Sequence, residues 1–143
     1  MTYDKPLPRQ LPEAVPFWDS VKDHAMALPW CRDCEKPHYY PQGTCPFCLG
    51  PNIEYRTASG NGTIYSFSEV RRAPTKDFKD DVPYTVCMVD LEEGVRIFTT
   101  LVDADGAEAR IGMPVRAVYD DVTDEVSLPR VAPLPAGVGE VAR

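Results

Sequence analysis

The chain predicts a mainly β protein with one N-terminal helix, a four-cysteine metal ribbon and a small five-stranded closed barrel. Three observations carry this. Four cysteines stand as two C-x-x-C pairs, ten residues apart, in WCRDCEKPHYYPQGTCPFCLG. One helical period precedes them, in PFWDSVKDHAMALP, and from Asn52 onward short apolar runs alternate with turn residues. The expected division is an arm and helix over 1–29, the ribbon over 30–51, the barrel over 52–132 and a tail over 133–143.

Prolines bracket the chain. There are 15, and they gather as Pro6, Pro8, Pro12 and Pro16 at one end and Pro129, Pro133 and Pro135 at the other. Neither arm is expected to form regular helix or central strand. Both are expected to dock, on the barrel or on another subunit. In the helix, Pro16 suits a first-turn position, Phe17, Val21, Ala25 and Leu28 recur at helical spacing, Trp18 widens the face, and Pro29 ends it.

The spacing of Cys31, Cys34, Cys45 and Cys48 is that of a metal site. Each pair forms a knuckle from one tight turn, and the intervening residues bring the two turns face to face. Four soft thiolates select zinc, with iron as the alternative, since rubredoxin-like sites use the same ligands. Protein fills all four positions, so the metal is expected to be structural. Two disulfides are the rival reading. Against it, MTYDKPLPRQ carries neither a basic n-region nor an apolar h-region, so reduced thiols in the cytoplasm are expected. His24 and His38 are then ordinary surface or satisfied histidines, because the cysteine site is complete without them. Tyr39 and Tyr40 are expected to cover a small apolar cluster beside the metal.

The strands follow. NIEYRTAS is the first, with Gly60 and Gly62 around Asn61 as a turn, then TIYSFSEV with Ile64, Phe67 and Val70 as inward candidates. After the loop RRAPTKDFKDDVP come YTVCMVDL and RIFTTLVDA, joined through Glu92, Glu93 and Gly94. Both read as apolar on two faces. Asp105 and Gly106 form a turn, and ARIGMPVRAVYDD supplies the last strand, entered through Gly112 and Pro114. An OB-fold fits best, and an SH3-like barrel or small sandwich is the runner-up. Cys87, among apolar neighbours, reads as a small buried hydrophobe.

Fifteen Lys and Arg against 22 Asp and Glu leave a net charge of −7, with no basic run, which speaks against nucleic acid as a partner. No apolar run approaches the roughly 20 residues of a spanning helix, so no membrane association is expected. No Ser-His-Asp order, nucleophile elbow or glycine-rich phosphate loop is present.

The order of helix, four-cysteine ribbon and barrel, with SGNGTIYSFSEV, PYTVCMVDLEEGVRIFTTLV and IGMPVRAVYDD, resembles the family known as domain of unknown function 35, rubredoxin-like zinc ribbon plus acyl-CoA-associated OB-fold proteins. The likeness runs from about Phe17 to Pro133. One departure is Glu35, which stands where a glycine often follows the second cysteine, while Gly50 lies one residue beyond the matching place in the second knuckle. The resemblance implies a non-catalytic subunit in a hetero-oligomer with a thiolase-like enzyme. The partner would be a thiolase, a hydroxymethylglutaryl-CoA synthase or a sterol-carrier-type retro-aldolase of steroid breakdown, and this chain would help complete its acyl-CoA site.

Coenzyme A carries several phosphate charges, so a contributing surface needs local cations. Arg71, Arg72 and Lys76, with Lys79, are the densest basic spot, although Asp77, Asp80 and Asp81 dilute it. A solvated loop is the competing reading. Two other classes stay open: an OB face that stacks single-stranded nucleic acid or acyl-CoA on Tyr55, Tyr65 and Phe67, and an enzyme acting on thioesters by itself.

Overall fold

The structure, a computed structural model, describes residues 3–104 and 109–134. A 3-10 turn, Pro12–Ala14, runs into helix α1, Val15–Lys22, with proline among the first positions of each, where a missing N–H is no loss. Phe17 and Val21 are fully buried. The helix stops earlier than its apolar spacing predicts. The Ser20 hydroxyl donates to Phe17 O and accepts the Ala27 amide, and His24 turns the chain back with φ of 59°. Leu28 is buried as expected, but from strand β1, Ala27–Cys31, and Ala25 is exposed.

β1 pairs antiparallel with β2, Lys36–Pro37, on one edge and with β3, Ile53–Thr57, on the other. NIEYRTAS is therefore a strand, but a strand of the ribbon sheet and not of the barrel. Its partner β1 was concealed within the helical period.

The barrel is closed by β4, Asn61–Val70, β5, Tyr84–Leu91, β6, Arg96–Leu101, β7, Pro114–Asp121, and β8, Ser127–Pro133, in the order β4-β5-β6-β8-β7. The expected count of five holds with one exchange of members. β8 contains Pro129 and Pro133, so that proline-rich stretch is a strand after all. Among the described residues β8 pairs along β7 but meets β6 at one bridge, Leu101↔Val131, and a strand with so little demand for donors on one edge tolerates proline. The turn expected at Asp105 and Gly106, and Pro135, lie outside the described residues.

Burial on two faces is not what β5 and β6 show. Along β6, Ile97, Thr99 and Leu101 point into the core while Phe98 is 63% exposed, because the barrel encloses only one face of each strand. Gly62 sits inside β4 and not in a turn. A Cβ there would lie 2.5 Å from Asp90 O, so glycine permits the close approach of β4 to β5. The turn itself is made by Gly60, with φ of 83°.

The register of β4 slips between Ile64 and Ser66, leaving Tyr65 as an extra residue. Phe67 then stands opposite Cys87, on the core-bearing face, yet it is 42% exposed. The reason is on the other edge: β7 pairs only with Asn61–Thr63, so the second half of β4 projects past the closed part of the barrel.

Helix, ribbon and barrel share one core. Phe17, Val21, Met26 and Leu28 pack in the same cluster as Ile64, Val89, Val115 and Val131. The chain between α1 and β1 is bonded to the barrel as well: the Met26 amide donates to Tyr119 Oη at 2.9 Å, and Met26 O accepts the Ala58 amide.

Candidate metal centre

Each knuckle is a tight loop closed by two kinds of bond. Glu35 N donates to Cys31 O and Leu49 N to Cys45 O, which brings each pair of cysteines to one side of its turn. The amides of Cys34, Phe47 and Gly50 then point at the sulfurs of Cys31, Cys45 and Cys48, at 3.4, 3.3 and 3.4 Å. Such donors partly neutralise thiolates.

The residue after each second cysteine adopts the left-handed conformation, Glu35 with φ of 57° and Leu49 with φ of 63°. The departure from glycine noted in the sequence leaves the turn unchanged. Gly50 is not the residue with positive φ; it supplies an amide to Cys48 instead.

The two knuckles face each other across β1 and the loop after β2. Cys31 Sγ lies 3.7 Å from Cys48 Sγ, Cys34 Sγ lies 3.9 Å from Cys45 Sγ, and all four sulfurs are within 4.8 Å of one another. A tetrahedral ion with metal–sulfur bonds near 2.3 Å sets sulfur–sulfur separations of about 3.8 Å. The residues fit the ion. They also place the sulfurs for four-way coordination and not as two bonded pairs, which removes the disulfide reading. Without a cation, four sulfurs this close resist ionising together. Hydrogen bonding to Cys48 is the largest reason that the Cys34 thiol is pushed up to about 12. Burial also pushes Cys45 up, but the amides of Cys48 and Phe47 outweigh it and bring it to about 7.

Beside the ribbon, Tyr39 and Tyr40 do cover an apolar cluster. Phe17 meets Trp18, Tyr39 and Tyr40 edge-on at 5.2, 5.7 and 6.2 Å, and the Trp18 indole donates to Tyr40 Oη at 3.2 Å. Burial pushes the Tyr39 phenol up to about 12, with Tyr40 adding to it. His38 is more deeply buried than expected, at 4% exposure, and neither ring nitrogen has a hydrogen-bond partner among the described residues. Burial lowers its pKa below the ordinary histidine value. His24 is a surface residue that pairs with Asp121.

Cys87 is buried in the barrel, and burial pushes its thiol up to about 11, the state of a packing residue and not of a nucleophile. The three aromatic platforms do not share a face. Tyr55 belongs to the ribbon sheet and donates its hydroxyl to Glu13 O at 3.0 Å, whereas Tyr65 and Phe67 lie on β4.

Arg71, Arg72 and Lys76 are all exposed in the loop after β4. Arg71 is ion-paired with Glu69, while Arg72 and Lys76 have no ion pair among the described residues. A nearby cleft of about 300 Å³ is lined by none of the three. Its walls include Lys5, Phe78, Asp81, Tyr84, Thr100 and Arg130. The arm docks here, with Lys5 Nζ 2.9 Å from Asp81 and over the Phe78 ring. Nothing in the sequence marks Lys5 or Arg130, which reach one cleft only through the fold. No helix among the described residues is long and apolar enough to cross a membrane.

Comparison with known proteins accounts for both parts. Residues 18–54 match the ChsH2 rubredoxin-like zinc ribbon domain, and residues 55–120 match the ChsH2 C-terminal OB-fold domain. The alpha subunit of 3-oxo-4,17-pregnadiene-20-carboxyl-CoA hydratase from Mycobacterium tuberculosis is 40% identical over 108 residues, 76% of this chain. The match spans only 34% of that longer protein. A DUF35 domain-containing scaffold protein of Methanocaldococcus jannaschii is 34% identical over 113 residues, 78% of this chain and 79% of its own length. The benzoylsuccinyl-CoA thiolase subunit BbsA of Thauera aromatica is 33% identical over 79 residues, 54% of this chain and 51% of its own length. Among solved structures, a chain of the Ltp2-ChsH2(DUF35) aldolase superposes with a TM-score of 0.79 at 28% identity, covering 89% of this chain and 98% of that one. With both halves matched in order and a DUF35 relative 34% identical over 79% of its own length, the chain belongs to the DUF35 family, as a ChsH2-type zinc ribbon joined to an OB-fold barrel.

Proposed function

We propose that this chain is the non-catalytic accessory subunit of a thiolase-like enzyme in the cytoplasm and helps complete that enzyme's acyl-CoA site. The partner would be a thiolase, a hydroxymethylglutaryl-CoA synthase-like enzyme or a sterol-carrier-type retro-aldolase. The observation that carries the reading is the likeness over nearly the whole of a chain from an aldolase assembly. Relatives named as subunits of acyl-CoA enzymes support it, and degradation of a steroid or aromatic acyl-CoA is the setting we infer.

In this reading Cys31, Cys34, Cys45 and Cys48 hold zinc. With all four positions filled by protein, the ion cross-links the ribbon and supplies no step of a reaction. Arg72 and Lys76, with Arg71 released from Glu69, offer cations to coenzyme A phosphates. The reacting groups belong to the partner.

The test is a native pull-down from the host with this chain as bait, followed by acyl-CoA turnover of the pair and of the partner alone. Stoichiometric co-elution of a thiolase-like protein, with faster turnover by the pair, is expected. A chain that elutes alone and binds acyl-CoA by itself would replace this reading with that of a stand-alone OB-fold binding protein.

A further inference from the structure

The second half of β4 has one partner where a barrel strand has two. β5 pairs with it through Val70, but on the opposite edge β7 stops at Thr63, and after Ile64, whose amide and carbonyl bond Met113 O and Gly112 N, no described residue bonds the backbone. An open edge is a template for another strand, and proteins usually blunt it with lysine, proline or an inward charge. This one reads Tyr65-Ser66-Phe67-Ser68, with no charge and no proline. The first charged residue, Glu69, is paired with Arg71.

The side chains along the edge favour the same occupant. Tyr65 is 49% exposed on the outer face, its ring covered by Arg96 at 3.5 Å. Phe67 is 42% exposed on the core-bearing face, and Ile111, beside the residues that cover Ile64, is 66% exposed. A strand laid here would meet an aromatic ring on each side, so it would carry apolar residues at successive positions, which point to both faces. One residue past the edge begins the loop with Arg71, Arg72 and Lys76, so an occupant of this edge would lie beside the cations assigned above to acyl-CoA.

We infer that the open edge of β4, Tyr65–Val70, takes up an extended segment of the thiolase-like partner, apolar on both faces, as an added strand. This rests on the accessory-subunit reading. The partner's acyl-CoA site is thereby held against the basic loop by backbone hydrogen bonds.

The experiment is hydrogen–deuterium exchange on the isolated chain and on the complex purified with its thiolase-like subunit, together with Phe67→Lys and Ser68→Lys. Those amides of Ser66–Val70 that face away from β5 are expected to slow at least tenfold in the complex. Ser68→Lys, on an exposed edge position, is expected to weaken the complex at least tenfold without changing the melting temperature of the chain, and Phe67→Lys to weaken it further. A complex that forms while these amides exchange as in the isolated chain overturns the added strand and leaves the accessory role standing. Protection already present in the isolated chain and lost on dilution makes the occupant a second copy and overturns the proposal. If no thiolase-like subunit co-purifies, the accessory reading falls and this occupant with it.

Discussion

His24 Nε2 lies 2.8 Å from Asp121 Oδ1, although 97 residues separate them. The contact joins the end of α1 to the end of β7, and the imidazole stacks on Tyr119 with ring centroids 5.0 Å apart. Asp121 also accepts the Ser127 hydroxyl, and these two partners, Ser127 first, hold its pKa below the usual value of 3.8. A carboxylate with a lowered folded-state pKa contributes stability above its unfolded value, and that contribution disappears as pH falls through the folded one. Melting temperature is therefore expected to drop below about pH 4, and Ser127→Ala to flatten that acid limb. An identical limb in the variant would show that Asp121 does not carry it.

Removing the metal should unfold the ribbon and not simply weaken it. Binding of a structural zinc by such a site is worth on the order of 10 kcal/mol, more than the ribbon sheet can offer alone. A strong chelator, or Cys45→Ser, is expected to lower the melting temperature steeply and to release about one zinc per chain, one four-cysteine site holding one ion. Metal loss with an unchanged melting temperature would contradict a structural role.

Glu35 and Leu49 sit at positive φ where glycine is at ease. The left-handed conformation costs a side-chain-bearing residue about 1–2 kcal/mol, and glycine returns part of that through the freedom of its unfolded chain. Leu49 is 76% exposed, so little burial is lost with its side chain. Leu49→Gly and Glu35→Gly are each expected to stabilise by about 0.5 kcal/mol in urea unfolding. Destabilisation by either would mean that the side chain matters more than the backbone.

Gly62→Ala puts a methyl carbon 2.5 Å from Asp90 O, a backbone atom that cannot swing aside. Overpacking of this kind should cost about 2–3 kcal/mol, read as a shift of the urea midpoint. A neutral substitution would show that β4 and β5 separate more easily than their register suggests.

Arg71→Ala combined with Arg72→Ala is expected to raise the Michaelis constant of the complex for acyl-CoA roughly threefold to tenfold, the loss of one or two exposed charge-assisted contacts. Turnover at saturation should stay the same. An unchanged Michaelis constant would remove these residues from the acyl-CoA surface.

The four-cysteine cluster is legible in the sequence because its members are local: C-x-x-C turns declare themselves within four residues. The barrel was legible in number and not in membership. Ala27, Leu28 and Pro29 continue the helical spacing of Phe17 and Val21, and only the Ser20 hydroxyl, bonding Phe17 O and the Ala27 amide, breaks it. With β1 hidden, β3 reads as a barrel strand, and Pro129 and Pro133 mask β8, whose edge toward β6 asks for few donors. Phe67 was placed on the right face, but its exposure depends on where β7 ends, which no local pattern records. His24, Lys5 and Arg130 find their partners only through the fold.

The single bridge between β6 and β8 makes that seam the barrel's weakest. Few ladder bonds hold it: Leu101 faces Val131, and the Val102 amide reaches Val131 O. Side chains supply the rest, the Thr99 hydroxyl to Pro129 O at 2.7 Å and the Arg130 guanidinium to Thr100 at 3.2 Å. Parting that seam breaks one bridge, one further amide bond and two side-chain contacts, where every other seam of the barrel would unzip a longer ladder.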